Sequence, residues 1–158
     1  MPGSRASRIT GSPVVDRNLA AAKLAELADR VARVRSHCPA TADELRRDRD
    51  ALDLVSFNLM LAVQACADIA SHLIADEGWP SVPNLAGSFN RLRDEGVISA
   101  GTASTLGRAV GLRNVVAHGY AGINPAMVHA AAMSGVSDLE AFAREVAQWI
   151  AGRSSGEA

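Results

Sequence analysis

From Ala40 to Glu77 the chain contains neither glycine nor proline, and no other feature limits the fold so strongly. Leu45, Leu52, Leu59, Val63, Cys66, Ala70 and Leu73 recur through that run at steps of seven, four and three. That spacing stacks them along one face of a helix. The pattern predicts a short helix over Ala42–Arg47, capped by Thr41 or Asp43, a break near Asp48–Asp50, and a long helix to about Ala75. Gly78-Trp79-Pro80 stops it, and a loop runs through Pro83. The apolar residues make up 48% of the chain but the aromatics only 4%, and Ala and Leu dominate. Such a mixture favours helices, because Ala and Leu lose little freedom there while strands prefer β-branched and aromatic side chains.

The flanking segments read the same way. Leu24, Leu27, Val31 and Val34 step by three and four within a helix expected over about Asp16–Ser36, which Pro39 ends. Asn84 to Glu95 predicts a shorter helix with Leu85, Phe89 and Leu92 inward, closed by Gly96. Ser99 or Thr102 opens the next. Along it Ala103, Gly107 and Gly111 form a stripe of small residues beside Leu106, Val110 and Leu112. Each interior glycine costs about 1 kcal/mol against alanine. Tight helix packing is the first explanation, and close approach of a partner helix or a ligand phosphate the second. Gly119 and Gly122 end this helix. Pro125 opens a short one to about Met133, and Ser137 or Asp138 caps a last one with Leu139, Phe142, Val146 and Trp149 inward. No segment alternates over strand length. The expected fold is all-α, an antiparallel four-helix bundle with additional short helices.

A chain of 158 residues fits one domain with a real core, expected over residues 16–151, between tails at 1–15 and 152–158. With a net charge of −1 and a pI near 6.4 it has no global field to draw in nucleic acid. Any such binding must come from a local basic cleft, including one built by two subunits. Cys38 and Cys66 make no disulfide framework and no metal-binding spacing. No apolar run approaches a membrane span and no signal sequence is apparent, so a soluble cytoplasmic protein with no membrane partner is expected.

The chemistry gathers in Arg113-Asn114-Val115-Val116-Ala117-His118-Gly119-Tyr120. Arginine holds phosphate, histidine moves protons near neutral pH, and tyrosine serves as hydrogen-bonding group or hydroxyl acceptor. The set suits work on a phosphodiester. Each residue has a plainer reading: Arg113 as a dipole partner near a helix end, His118 as a structural hydrogen-bonder, Tyr120 as a loop anchor. In one straight helix Arg113 and His118 point about 140° apart, whereas Asn114 and His118 share a face. Either the helix unwinds at Ala117–Tyr120, or two copies face each other so that one chain's arginine complements the other's histidine. Asp68 and His72, one turn apart, read as a polar surface pair, since two ligands make an incomplete metal site.

Arg113, four residues, His118, one residue and Tyr120 resemble the R-x4-H-x-Y signature of HepT-type HEPN ribonuclease toxins. Arg49-Asp50, the segment Asn58–Ile74, the stretch Phe89–Ile98 and the helix order are similar to that family too, over roughly Leu19–Ile150. The resemblance implies a dimeric all-α toxin that cuts RNA without a metal or other cofactor, using Arg113 and His118, with Asn114 in the polar position after the arginine. It implies a partner, a minimal nucleotidyltransferase antitoxin of the MntA type, which transfers AMP from ATP to Tyr120. It also raises Asp68 as a helper residue. Where the family often carries an acidic residue between histidine and tyrosine, this chain has Gly119, which removes a carboxylate that could orient the imidazole. That departure keeps a second reading open: a non-catalytic HEPN module that docks a nucleotidyltransferase and accepts AMP.

Overall fold

Proline is tolerated in the first turn of a helix, where its missing N–H would have had no partner, and the first helix, α1, runs Pro13–His37. This is a computed structural model, which describes residues 13–119 and 122–156, with side chains from Arg17 onward. The boundary expected at residue 16 therefore falls three residues inside α1. Leu27, Val31 and Val34 are buried from it, and Leu24 packs at the margin.

After a short loop, α2 spans Ala42–Arg47 as its pattern predicted, with the Thr41 hydroxyl accepting from the Glu44 N–H at 3.2 Å. The break that follows is a single residue. Asp48 donates its N–H to the end of α2 and accepts the Ala51 N–H at 3.0 Å on its carboxylate, so it ends one helix and caps the next. That next helix, α3, covers Arg49–Asp76 and is the axis of the molecule, packing against α1 and every later helix. Its length and composition do reach those of a membrane span, contrary to the sequence expectation. The reason is burial: 61% of its most apolar window lies inside the protein, so few polar residues interrupt it.

Two shorter helices follow, α4 over Leu85–Asp94 and α5 over Ala100–Ala117, capped by Asn84 and Ser99. The sequence places a second break near residue 134 and a cap at Ser137 or Asp138, and here the structure differs. Helix α6, Pro125–Ala130, passes through a π-helical turn at Ala131–Gly135 straight into α7, Val136–Gly156. Ser137 does not cap; its hydroxyl donates back to the Ser134 carbonyl at 2.6 Å. Gly135 in such a turn lowers propensity without breaking the chain of backbone bonds, because the wider turn absorbs one residue. The C-terminal tail expected from residue 152 is helical to Gly156. Ser154 and Ser155 bond the carbonyls of Ile150 and Ala151, and Arg153 both pairs with Glu77 and lies 4.9 Å over the Trp149 ring.

The core runs along α3. Phe89 and Phe142 meet edge to face at 5.9 Å between ring centres, joining α4 to α7. Trp79 and Trp149 repeat that arrangement at one end, 5.8 Å apart. No strand occurs among the described residues, and the fold is all-α with short additional helices around the bundle.

Candidate functional site

The motif helix is held at both ends. At its start, Glu145 on α7 accepts from the Ser99 N–H at 2.9 Å and from the Thr102 hydroxyl at 2.5 Å. Burial pushes this carboxyl up, but those donors outweigh it and hold it below its ordinary value. At its end, the His118 N–H reaches the Asn114 carbonyl at 3.1 Å, so His118 continues the helical path as C-cap with φ −84° and ψ −6°. Gly119 turns the chain left-handed, at φ +60°, and its N–H meets the Val116 carbonyl at 3.1 Å. The helix thus unwinds one residue too late to swing His118 toward Arg113. The backbone stays helical through His118, and an ideal helix sets positions 113 and 118 about 140° apart around the axis.

Arg113 turns inward onto α3. Its Nη2 donates to Gln64 Oε1 at 2.5 Å and its Nη1 to Asn114 Oδ1 at 2.8 Å. Gln64 Nε2 donates in turn to Asp68 Oδ1 at 2.9 Å, and Lys23 Nζ of α1 to Asp68 Oδ2 at 3.5 Å. Glu26, first, and Asp68 together hold the Lys23 amine above its ordinary value. One polar row therefore crosses three helices: Lys23, Asp68, Gln64, Arg113, Asn114. Among the described residues no carboxylate pairs with the Arg113 guanidinium. Its charge is met only by amide oxygens, which leaves it available to an anion.

Of the residues the sequence singled out, Arg113, Asn114 and Asp68 are brought into this one network. His118 is exposed on the outer side of α5, and Tyr120 lies outside the described residues. His72 goes elsewhere, to Asp76 at 3.1 Å, so it and Asp68 do not share a site. Cys66 is fully buried in the core and burial pushes its thiol far up, which suits a packing role. Gln64 received no role from sequence. The signal was its place one turn before Asp68, polar amid the otherwise apolar Leu59–Ala67.

The small-residue stripe divides. Ala103 is buried in the core, but a Cβ added at Gly107 or Gly111 would meet nothing within 4 Å. Tight packing inside the chain, the first explanation, does not account for these two glycines. Gly101, Ser104, Arg108, Gly111, Val115 and His118, at steps of three and four, all lie exposed along α5.

The fold and this helix end define an all-α bundle that gathers arginine, asparagine and histidine in a polar segment. The chain belongs to the ribonuclease HepT-like family, whose profile matches residues 27–146. It is 28% identical over 99 residues to the mRNA nuclease HepT of Shewanella oneidensis, an overlap covering 63% of this chain and 74% of that protein. Its fold matches that of a toxin–antitoxin crystal structure with AMP-PNP, at TM-score 0.77 and 23% identity, over 83% of this chain and 98% of the other. It also matches a tri-AMPylated Shewanella oneidensis HEPN toxin in complex with an MNT antitoxin, at TM-score 0.76 and 24% identity, over 82% and 96% of the two chains.

Proposed function

We propose that this protein is the toxin of a toxin–antitoxin pair, a metal-independent endoribonuclease, neutralised when a minimal nucleotidyltransferase antitoxin of the MntA type adenylates Tyr120. The observation that carries the reading is Arg113: a guanidinium held by two amide oxygens, faced by no carboxylate among the described residues, on the helix whose C-cap is an exposed histidine. Membership of the ribonuclease HepT-like family supports the same reaction class.

In the proposed reaction the RNA 2′-hydroxyl attacks the adjacent phosphorus as one His118 takes its proton. The bond to the 5′-oxygen breaks, and a second histidine protonates that oxygen, leaving a cyclic phosphate and a free 5′-hydroxyl. Arg113 binds the phosphoryl oxygens as charge builds on them, and Asn114 keeps the guanidinium in place. Because one helix cannot aim Arg113 and His118 at one phosphate, the reaction needs two copies. The open face of α5, with Gly107 and Gly111 free of neighbours, suits the close approach of a second α5. Such a homodimer doubles Arg108 and His118 along the shared face, which is how a chain of net charge −1 gathers local positive charge for RNA. In neutralisation the Tyr120 oxygen attacks the α-phosphorus of ATP and pyrophosphate leaves. The bulky anion so attached competes with RNA for the cleft.

Incubating the purified protein with RNA in EDTA tests this. Cleavage is expected, and His118→Ala should abolish it while the protein stays folded and dimeric. Undiminished cleavage by that variant would reject the assignment. An intact wild-type protein that binds the nucleotidyltransferase and gains AMP yet never cuts RNA is instead the non-catalytic module.

A further inference from the structure

We infer that Gln64 is the positioning residue for Arg113, and that Asp68 serves the site only through Gln64. This rests on the proposed role of Arg113 at the RNA phosphate. A glutamine amide has an oxygen and a nitrogen that a half-turn would exchange, and its two neighbours decide which way it faces. Asp68 accepts hydrogen bonds and Arg113 only donates them. With Nε2 bound to Asp68 at 2.9 Å and Oε1 to Arg113 at 2.5 Å, the flipped amide would set donor against donor and acceptor against acceptor. Lys23 holds the other oxygen of Asp68 at 3.5 Å, so the carboxylate is itself oriented and its charge is balanced away from Arg113.

The residue type at 64 matters as much as its placement. A neutral amide oxygen fixes one Nη of Arg113 without cancelling the guanidinium charge, while Asn114 fixes the other Nη at 2.8 Å. Among the described residues two of the five N–H groups are engaged, and the other three have no protein acceptor there. A carboxylate at the same place would pair with Arg113 and compete with the phosphate for it. Asp68, two bonds further back, supplies order without that competition. Both residues lie one turn apart on α3, the most buried helix, so the guanidinium is braced from the rigid part of the molecule.

The test is steady-state cleavage of an unstructured, end-labelled RNA oligonucleotide by the full-length protein, with melting temperature as control. Gln64→Leu keeps the volume and loses both hydrogen bonds. It should lower kcat by about tenfold to a hundredfold, because a misplaced charge group is lost mainly in the transition state, with KM and melting little changed. In the Arg113→Lys background the same substitution should cost less than about twofold more, since a point-charge ammonium lacks the planar fork that Gln64 orients. Full kcat in Gln64→Leu, or a loss that multiplies undiminished onto Arg113→Lys, overturns the inference. Should Gln64→Leu fail to fold, Gln64→Glu replaces it: a raised KM for RNA is expected, and an unchanged one overturns the inference. Arg113→Ala separates the two levels. If it cleaves at the wild-type rate, the phosphate role itself is wrong; if it is dead while Gln64→Leu is unimpaired, only the positioning role is.

Discussion

Gly119 shows how one residue sets what the motif can do. Its φ of +60° lies where an L-side chain crowds its own backbone, yet a Cβ there would meet nothing within 4 Å. The cost of substitution is therefore conformational alone. Gly119→Ala should lower unfolding free energy by about 1–2 kcal/mol in urea titration, without disturbing the core. Arg113 makes the complementary point. Its identity was legible as phosphate chemistry, but its partner on α3 was not, since no spacing in sequence relates residue 64 to residue 113. Only the packing of α5 on α3 does so.

At the scale of elements, the caps were readable and the junctions were not. Thr41, Asn84 and Ser99 each accept an N–H from the first turn they precede, as their residue types suggest. Asp48 was placed only within a zone of three residues, because a residue that closes one helix and opens another carries both signals at once. Asp48→Ala should cost about 1 kcal/mol, seen as a lower midpoint in urea, from loss of the cap on α3. The π-helical turn at Ala131–Gly135 escaped the pattern, as Ser137 and Asp138 look like cap residues whether or not the helix has stopped. Glu145 ties two elements with a pH signature. Its folded value lies below the ordinary 4.5, so its contribution is present above that pH and is lost as the pH falls through the depressed value. Glu145→Gln should therefore melt below the wild type at neutral pH, and the gap should narrow as the pH falls below the ordinary carboxylate value.

For the whole molecule, the bundle stands on one buried axis. Phe89 and Phe142, both with no exposed surface, link α4 to α7 through their ring contact. Phe142→Ala should destabilise by about 3–5 kcal/mol in chemical denaturation, and the transition should remain single because every helix shares this core. The outer face of α5 carries the opposite design. It is open, its glycines uncovered, and it bears His118 at its end, which is the surface the proposed homodimer would use.

Helical periodicity, caps and composition fixed the number and order of the main helices, because each depends on neighbours a few residues apart. The same local reading recovered the chemical character of Arg113, Asn114 and His118. The tertiary structure alone decided that α6 and α7 are one continuous helix with a wide turn. It alone brought Lys23, Asp68 and Gln64 to Arg113. Those outcomes depend on which faces meet in space, and a helix repeat of 3.6 residues records a face without recording what covers it.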